Sequence, residues 1–165
     1  MNALDVASYF IHKGIYDGNP ISNLKVQKLI YIAHGLHLAI FKEPLIKSPI
    51  QAWQYGPVIP VVYEYLKPFG AKDISITTLK NPIETKEDFL TSDQKALLEK
   101  VWQIYGSLTA FQLVDITHQE GSPWHITFWS SYYKAPILNE VIKTYYENLI
   151  EQRKSQTTKD GIDKK

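Results

Sequence analysis

Two groups of residues in this chain have the types and spacing that metal or acid–base chemistry requires. His34 and His37 lie three apart in an apolar stretch, so one helical face would present two imidazoles to one ion. Catalytic zinc takes three protein ligands and keeps a further position open. No Asp or Glu accompanies the pair, and the H-E-x-x-H pattern is absent. We read both histidines as bordering the core and hydrogen-bonding locally. Asp115, His118, Glu120 and His125 form the second group, in which an imidazole and a carboxylate would make a base with its orienter. Neither a Ser in a nucleophile elbow nor a Gly-rich phosphate loop goes with them. His118 suits a helix C-terminus, where the macrodipole favours it, with Ser122-Pro123 turning the chain so that Trp124 docks in the core. A small hydrolase using His118 and Glu120 is the least favoured function, and no catalytic residue, metal or cofactor is expected.

The elements that would position these groups follow from pattern. Asn2 can cap a first helix, with Asp5 as a weaker capping-box partner, whose stripe is Ala3, Val6, Ala7, Phe10, Ile11 and Gly14. A second helix from Ser22 or Asn23 to about Phe41 is apolar on nearly every side, as a helix enclosed by neighbours is. Gly35 inside it implies a close approach by another element. Leu45-Ile46-Lys47 and Ile50 to Tyr55, across Ser48-Pro49, read as a β-hairpin, with Gln51, Trp53 and Tyr55 on one face. Gly56 can take a positive φ, Pro57 fixes its own φ, and Pro60 begins a helix. Asp73 to Thr78 alternates like a third strand, and residues 79–90 read as a surface loop. Thr91-x-x-Gln94 and Thr109-x-x-Gln112 are two capping boxes. A last helix starts near Asn139. Pro123 to Tyr133 is the densest aromatic run, and its irregular spacing fits neither a clean helix nor a clean strand. The reading is mainly α (α+β): a compact helical domain with a central buried helix and a small antiparallel sheet on one side.

Three segments, in order, resemble a known family. They are Leu24-Lys25-Val26-Gln27-Lys28-Leu29, the corner Ala52-Trp53-Gln54-Tyr55-Gly56-Pro57-Val58, and Thr117-His118 followed by Pro123-Trp124. These look like the L-K-L-Q-K-L helix, the A-W-x-Y-G-P-V corner and the T-H…P-W element of the Panacea antitoxin domain, also called SocA-like or GepA-like phage-associated proteins. Val26 stands where Leu is commoner. The resemblance covers residues 1–152 and implies an antitoxin that binds a cognate toxin protein in a toxin–antitoxin system. It implies no enzyme, and it makes Trp53, Tyr55, Gly56, Pro57, His118 and Trp124 structural. Trp129, Tyr132 and Tyr133 lie beyond the matched segments and are the candidates for partner contact, since Trp and Tyr concentrate at interface centres. An alternative is an adaptor that delivers a bound toxin to a cellular protease, with the polar tail as handle.

Composition narrows the partners further. The 165 residues are 44% hydrophobic, with 11 Tyr, 4 Trp and no Cys, which excludes disulfides, thiolate metal sites and Cys nucleophiles and fits a cytoplasmic protein. No apolar run is long enough to span a membrane. From Gln152 onward, Arg153, Lys154, Lys159, Lys164 and Lys165 against Asp160 and Asp163 give +3, leaving the body at −2 of the total +1. A slightly acidic body is a poor start for neutralising phosphates, so nucleic acid is not an expected partner. Some members of the wider family carry an added N-terminal DNA-binding domain; here the resembling domain is read as beginning at residue 2, so self-contained operator binding is not expected. Residues 153–165 have nothing apolar to bury and are expected to be disordered.

Overall fold

Asn2 opens the first helix by accepting a hydrogen bond from the Leu4 N–H at 3.1 Å. The computed structural model describes residues 1–78 and 90–162. Of the loop expected over 79–90, all but Leu90 lies outside the described residues. The helices are α1 Ala3–Tyr16, α2 Asn23–Phe41, α3 Pro60–Leu66, α4 Ser92–Tyr105, α5 Ala110–Thr117, α6 Pro123–Ser130 and α7 Asn139–Ile162. One antiparallel pair, β1 Gln51–Trp53 with β2 Gly56–Val58, is the sheet among the described residues.

The apolar stripe of α1 is buried from Ala3 to Gly14 as its spacing requires. Ser22 caps α2 through the Lys25 N–H at 3.4 Å. The rest of the fold is arranged around α2, which packs against α1, α3, α4, α5, α7 and β2. Its all-round apolar surface is what permits that. Gly35 is where α7 comes nearest: a Cβ there would run into the ring of Tyr146. The roughly 1 kcal/mol that a mid-helix glycine costs is offset by the packing of the Tyr146 ring directly on the α2 backbone. Both capping boxes form, Thr91 with Gln94 and Thr109 with Gln112, each reciprocated.

Three elements differ from the pattern reading. Leu45–Lys47 is not a strand: the Ile46 N–H donates to His34 Nδ1 at 3.3 Å and the Lys47 N–H to the Met1 carbonyl at 3.4 Å, so this backbone is held by α2 and the N-terminus. The hairpin forms one step later, with Trp53 opposite Gly56 and Gln54-Tyr55 as its turn. The open edge of β1 takes residues 135–137 instead, through Ala52 N–H to Ala135 O at 2.9 Å and Ile137 N–H to Ile50 O at 2.7 Å. Asp73–Thr78 makes a single bridge, Asp73 to Ser22, and then a 3₁₀ turn at Ile76–Thr78. The aromatic run enters a helix, α6, because Ser122 caps it through the His125 N–H at 3.1 Å and Pro123 occupies its first turn.

At the other end α7 continues through Ile162, so residues 153–162, expected to lack order, are helical. Everything from Glu151 to Gly161 is exposed. Beyond the Arg153 bond to Tyr105 Oη at 3.3 Å, what holds this extension is local, including Thr157 and Thr158 hydroxyls on the carbonyls of Arg153 and Lys154, both at 3.0 Å.

Candidate functional site

The second helix brings three polar side chains to one face beside the hairpin. Asn23 and Gln27 are one turn apart, and Lys28 follows. Gln27 Nε2 donates to Asn23 Oδ1 at 2.9 Å, which fixes the amide so that its Oε1 accepts the Ile59 N–H at 2.8 Å. Asn23 Nδ2 reaches the Tyr63 carbonyl at 3.2 Å. Lys28 is fully buried and donates from Nζ to the Pro57 carbonyl at 3.0 Å. A two-stranded corner cannot satisfy these backbone groups from a neighbouring strand, and a buried polar group without a partner costs about 1–3 kcal/mol. The side chains of α2 stand in for the missing strand.

Gly56 makes the approach possible. Its φ is +104°, and a Cβ there would lie 2.9 Å from Lys28 Cε and 3.0 Å from Thr117 Oγ1. From the opposite side, Trp124 donates its indole N–H to the Trp53 carbonyl at 2.7 Å. His118 lies flat on Trp124, with centroids 3.6 Å apart and planes within 3°, and hydrogen-bonds with the Tyr55 backbone. Ser122 Oγ donates to the Thr117 carbonyl at 2.9 Å. The three sequence segments thus close on one junction, in which the corner's backbone is read from both sides.

Electrostatics at this junction follows from burial. Desolvation lowers the Lys28 ammonium to about 7. The His118 imidazole is lowered chiefly by its own burial, then by the Lys28 charge, against the opposing pull of Asp115. Glu120 is exposed, and His125 Nδ1 accepts the Gly121 N–H at 3.4 Å. His34 Nε2 pairs with Asn139 Oδ1 at 2.9 Å, and His37 Nδ1 with the Glu43 carbonyl at 2.7 Å. Among the described residues no three His, Asp or Glu side chains are grouped to hold a metal ion.

The outer face of the junction is aromatic. Trp124 is 5% exposed, whereas Trp129, Tyr132 and Tyr133 are 72%, 73% and 70% exposed. A ladder of rings leads from one to the other: Trp124 stacks on Phe128 at 4.7 Å, and Phe128 meets Trp129 edge-on at 5.3 Å. Tyr133 joins the hairpin through Lys134, whose Nζ sits 3.8 Å from the Trp53 ring centroid and 5.3 Å from that of Tyr133. Lys134 takes φ +61°, and the Ala135 N–H closes the turn on the Tyr132 carbonyl at 3.0 Å. The turn is therefore pinned to the β1 edge by the residues that follow it. Trp53 is half-buried and Tyr55 is 57% exposed, so both present rings toward solvent while their backbones serve the junction. Sequence reasoning missed Lys28 and Gln27 as the anchors and Lys134 as the bridge. A lysine two turns into an apolar helix was the available signal for the first.

A second concavity of about 660 Å³ lies between α1 and α4. Part of its charged lining is paired, with Tyr9 OH donating to Glu99 at 2.9 Å and Lys13 at 3.3 Å from the same carboxylate. No helix among the described residues is long and apolar enough to cross a membrane.

Residues 26–125, which span the junction, match the family described as antitoxin SocA-like, Panacea domain. The chain is also 35% identical over 131 residues to the protein named Antitoxin SocA from Caulobacter vibrioides (strain NA1000 / CB15N), covering 76% of this chain and 70% of that one. No solved structure matches the chain.

Proposed function

The chain belongs to the antitoxin SocA-like, Panacea domain family, and from that membership we propose that it neutralises a partner toxin by direct, stoichiometric binding. The observation that carries the reading is the face built from Trp129, Tyr132 and Tyr133. These rings are exposed yet attached to backbone that is held on both sides, by the Trp124–Phe128 stack and by the β1 edge. Ordering side chains and loops at an interface costs free energy, and here much of the ordering is complete before the partner arrives. Lys134 in a left-handed conformation, unfavourable for a residue with a Cβ, fits a turn held for its presentation. The half-buried histidines and the buried lysine serve folding in this reading, and the action is contact without chemistry.

Co-purification of the tagged protein from its native host, followed by co-expression of the co-eluting protein with and without this chain, tests the proposal. A one-to-one complex whose formation relieves growth arrest is the expected result. Relief of arrest by amounts of this chain far below the toxin's would contradict stoichiometric binding.

A further inference from the structure

A cavity of about 170 Å³ lies between α2, α5 and α7. Its floor is buried and its rim is exposed: Tyr31 and Tyr146 are at the bottom, and Gln119 and Arg153 are at the mouth. The Thr117 and Ser122 hydroxyls on the floor are engaged by carbonyls at 3.0 and 2.9 Å. Tyr31 Oη is buried and has no hydrogen-bond partner among the described residues. Arg153 donates to Tyr105 Oη at 3.3 Å, lies within 4 Å of no carboxylate among the described residues, and is the one arginine in the chain.

We propose that this cavity binds a single oxyanion group, a carboxylate or a phosphate, between the Arg153 guanidinium and the phenol hydroxyls. Three features point to that chemistry. The lining contains a guanidinium and four tyrosines but no Asp or Glu, so its one charge is positive. A guanidinium matches the two oxygens of a carboxylate or phosphate in a way an ammonium does not. Burial raises Tyr31, Tyr145 and Tyr146 above the ordinary tyrosine range, so these three phenols stay protonated, and the unpartnered Tyr31 hydroxyl is a donor for an anion. The volume admits a small group of this kind and leaves no room for a nucleotide, whose usual pockets are several times larger. The cavity is separate from the aromatic face, so the site does not depend on the antitoxin reading.

The single arginine gives one side-chain Nε–Hε resonance, which reports on the mouth of the cavity in the full-length protein. Titration with inorganic phosphate, sodium acetate and a capped Gly-Asp-Gly peptide, against sodium chloride at matched ionic strength, should give a saturable shift for at least one anion and none for chloride. Saturation by phosphate or acetate identifies a free-anion site, and saturation by the peptide alone identifies one that reads a partner's acidic side chain. Tyr31→Phe, which removes the unpartnered hydroxyl and keeps the ring, should weaken binding about tenfold and leave the thermal midpoint unchanged or higher. Arg153→Gln, on the exposed stretch of α7, should abolish the anion's effect on thermal stability. Shifts that follow ionic strength alone, or saturable binding that Tyr31→Phe leaves intact, would overturn the site.

Discussion

Trp124 and Trp129 sit on the same short helix, about 140° apart around its axis, and meet opposite surroundings. Trp124 is sealed between His118 and Phe128 with its indole N–H on the Trp53 carbonyl. Trp129 touches Phe128 by an edge and is otherwise open to solvent. The first ring holds the corner together, and the second is held in place by it. Aromatic density alone does not separate the two roles. What separates them is whether the ring's polar atom bonds the backbone of the corner.

The largest effects should come from breaking the buried side of that contrast. Trp124→Ala should lower stability by about 3–5 kcal/mol, the usual cost of emptying a buried aromatic site, read from the urea midpoint. Gly56→Val should cost a similar amount, since its side chain would meet Lys28 and Thr117 and its φ of +104° disfavours a β-branched residue. Gln27→Ala should cost about 1–3 kcal/mol by leaving the Ile59 N–H unpaired. A midpoint unchanged in all three would mean that the junction is not part of the core.

Lys28 sharpens the comparison through pH. Its folded value of about 7 lies below the 10.5 of the free side chain, so between those values the unfolded chain holds a proton that the folded chain lacks. Stability should therefore climb as pH rises from 7, by about 1.4 kcal/mol per unit at most, and be lost as pH falls back toward 7. Lys25, also lowered by burial, adds slope of the same sign. Above pH 10 the raised Tyr31 and Tyr146 reverse the trend. Thermal midpoints from pH 7 to 9.5 should rise for the parent chain, and Lys28→Met should remove most of that rise. An equal slope in both would place the titration elsewhere.

The smallest effect belongs to the end of α7. Deleting Ser155 to Lys165 removes a stretch whose described part, 155–161, is exposed helix with no described long-range hydrogen bond, and both stability and partner affinity should stay within about 0.5 kcal/mol. Retained binding with lost protection in cells would instead favour the adaptor reading, with the tail as the handle.

The helical frame was legible because periodicity and caps are local signals. The Asn2, Ser22, Thr91 and Thr109 caps and the enclosed second helix all follow from adjacent residues. The misplaced hairpin and the missed α6 have a different origin. Leu45–Lys47 is claimed by His34 and Met1, and the edge of β1 by residue 135, partners that no local pattern announces. For α6 the Ser122-Pro123 pair was a start signal, obscured because rings point to both sides of a helix with little amphipathic character. The burial of Lys28 was illegible for the same reason: its carbonyl partner lies on a different element, 29 residues away.

The most direct test of the central claim, that the exposed rings bind and the buried ones build, is calorimetric titration of one variant against the co-purified partner. Replacing Trp129, Tyr132 and Tyr133 together with Ala should weaken binding by at least about 2 kcal/mol, the usual mark of an interface hot spot. The urea midpoint should move far less than for Trp124→Ala. Full affinity in that triple variant, or a loss of stability as large as that of Trp124→Ala, would contradict the account.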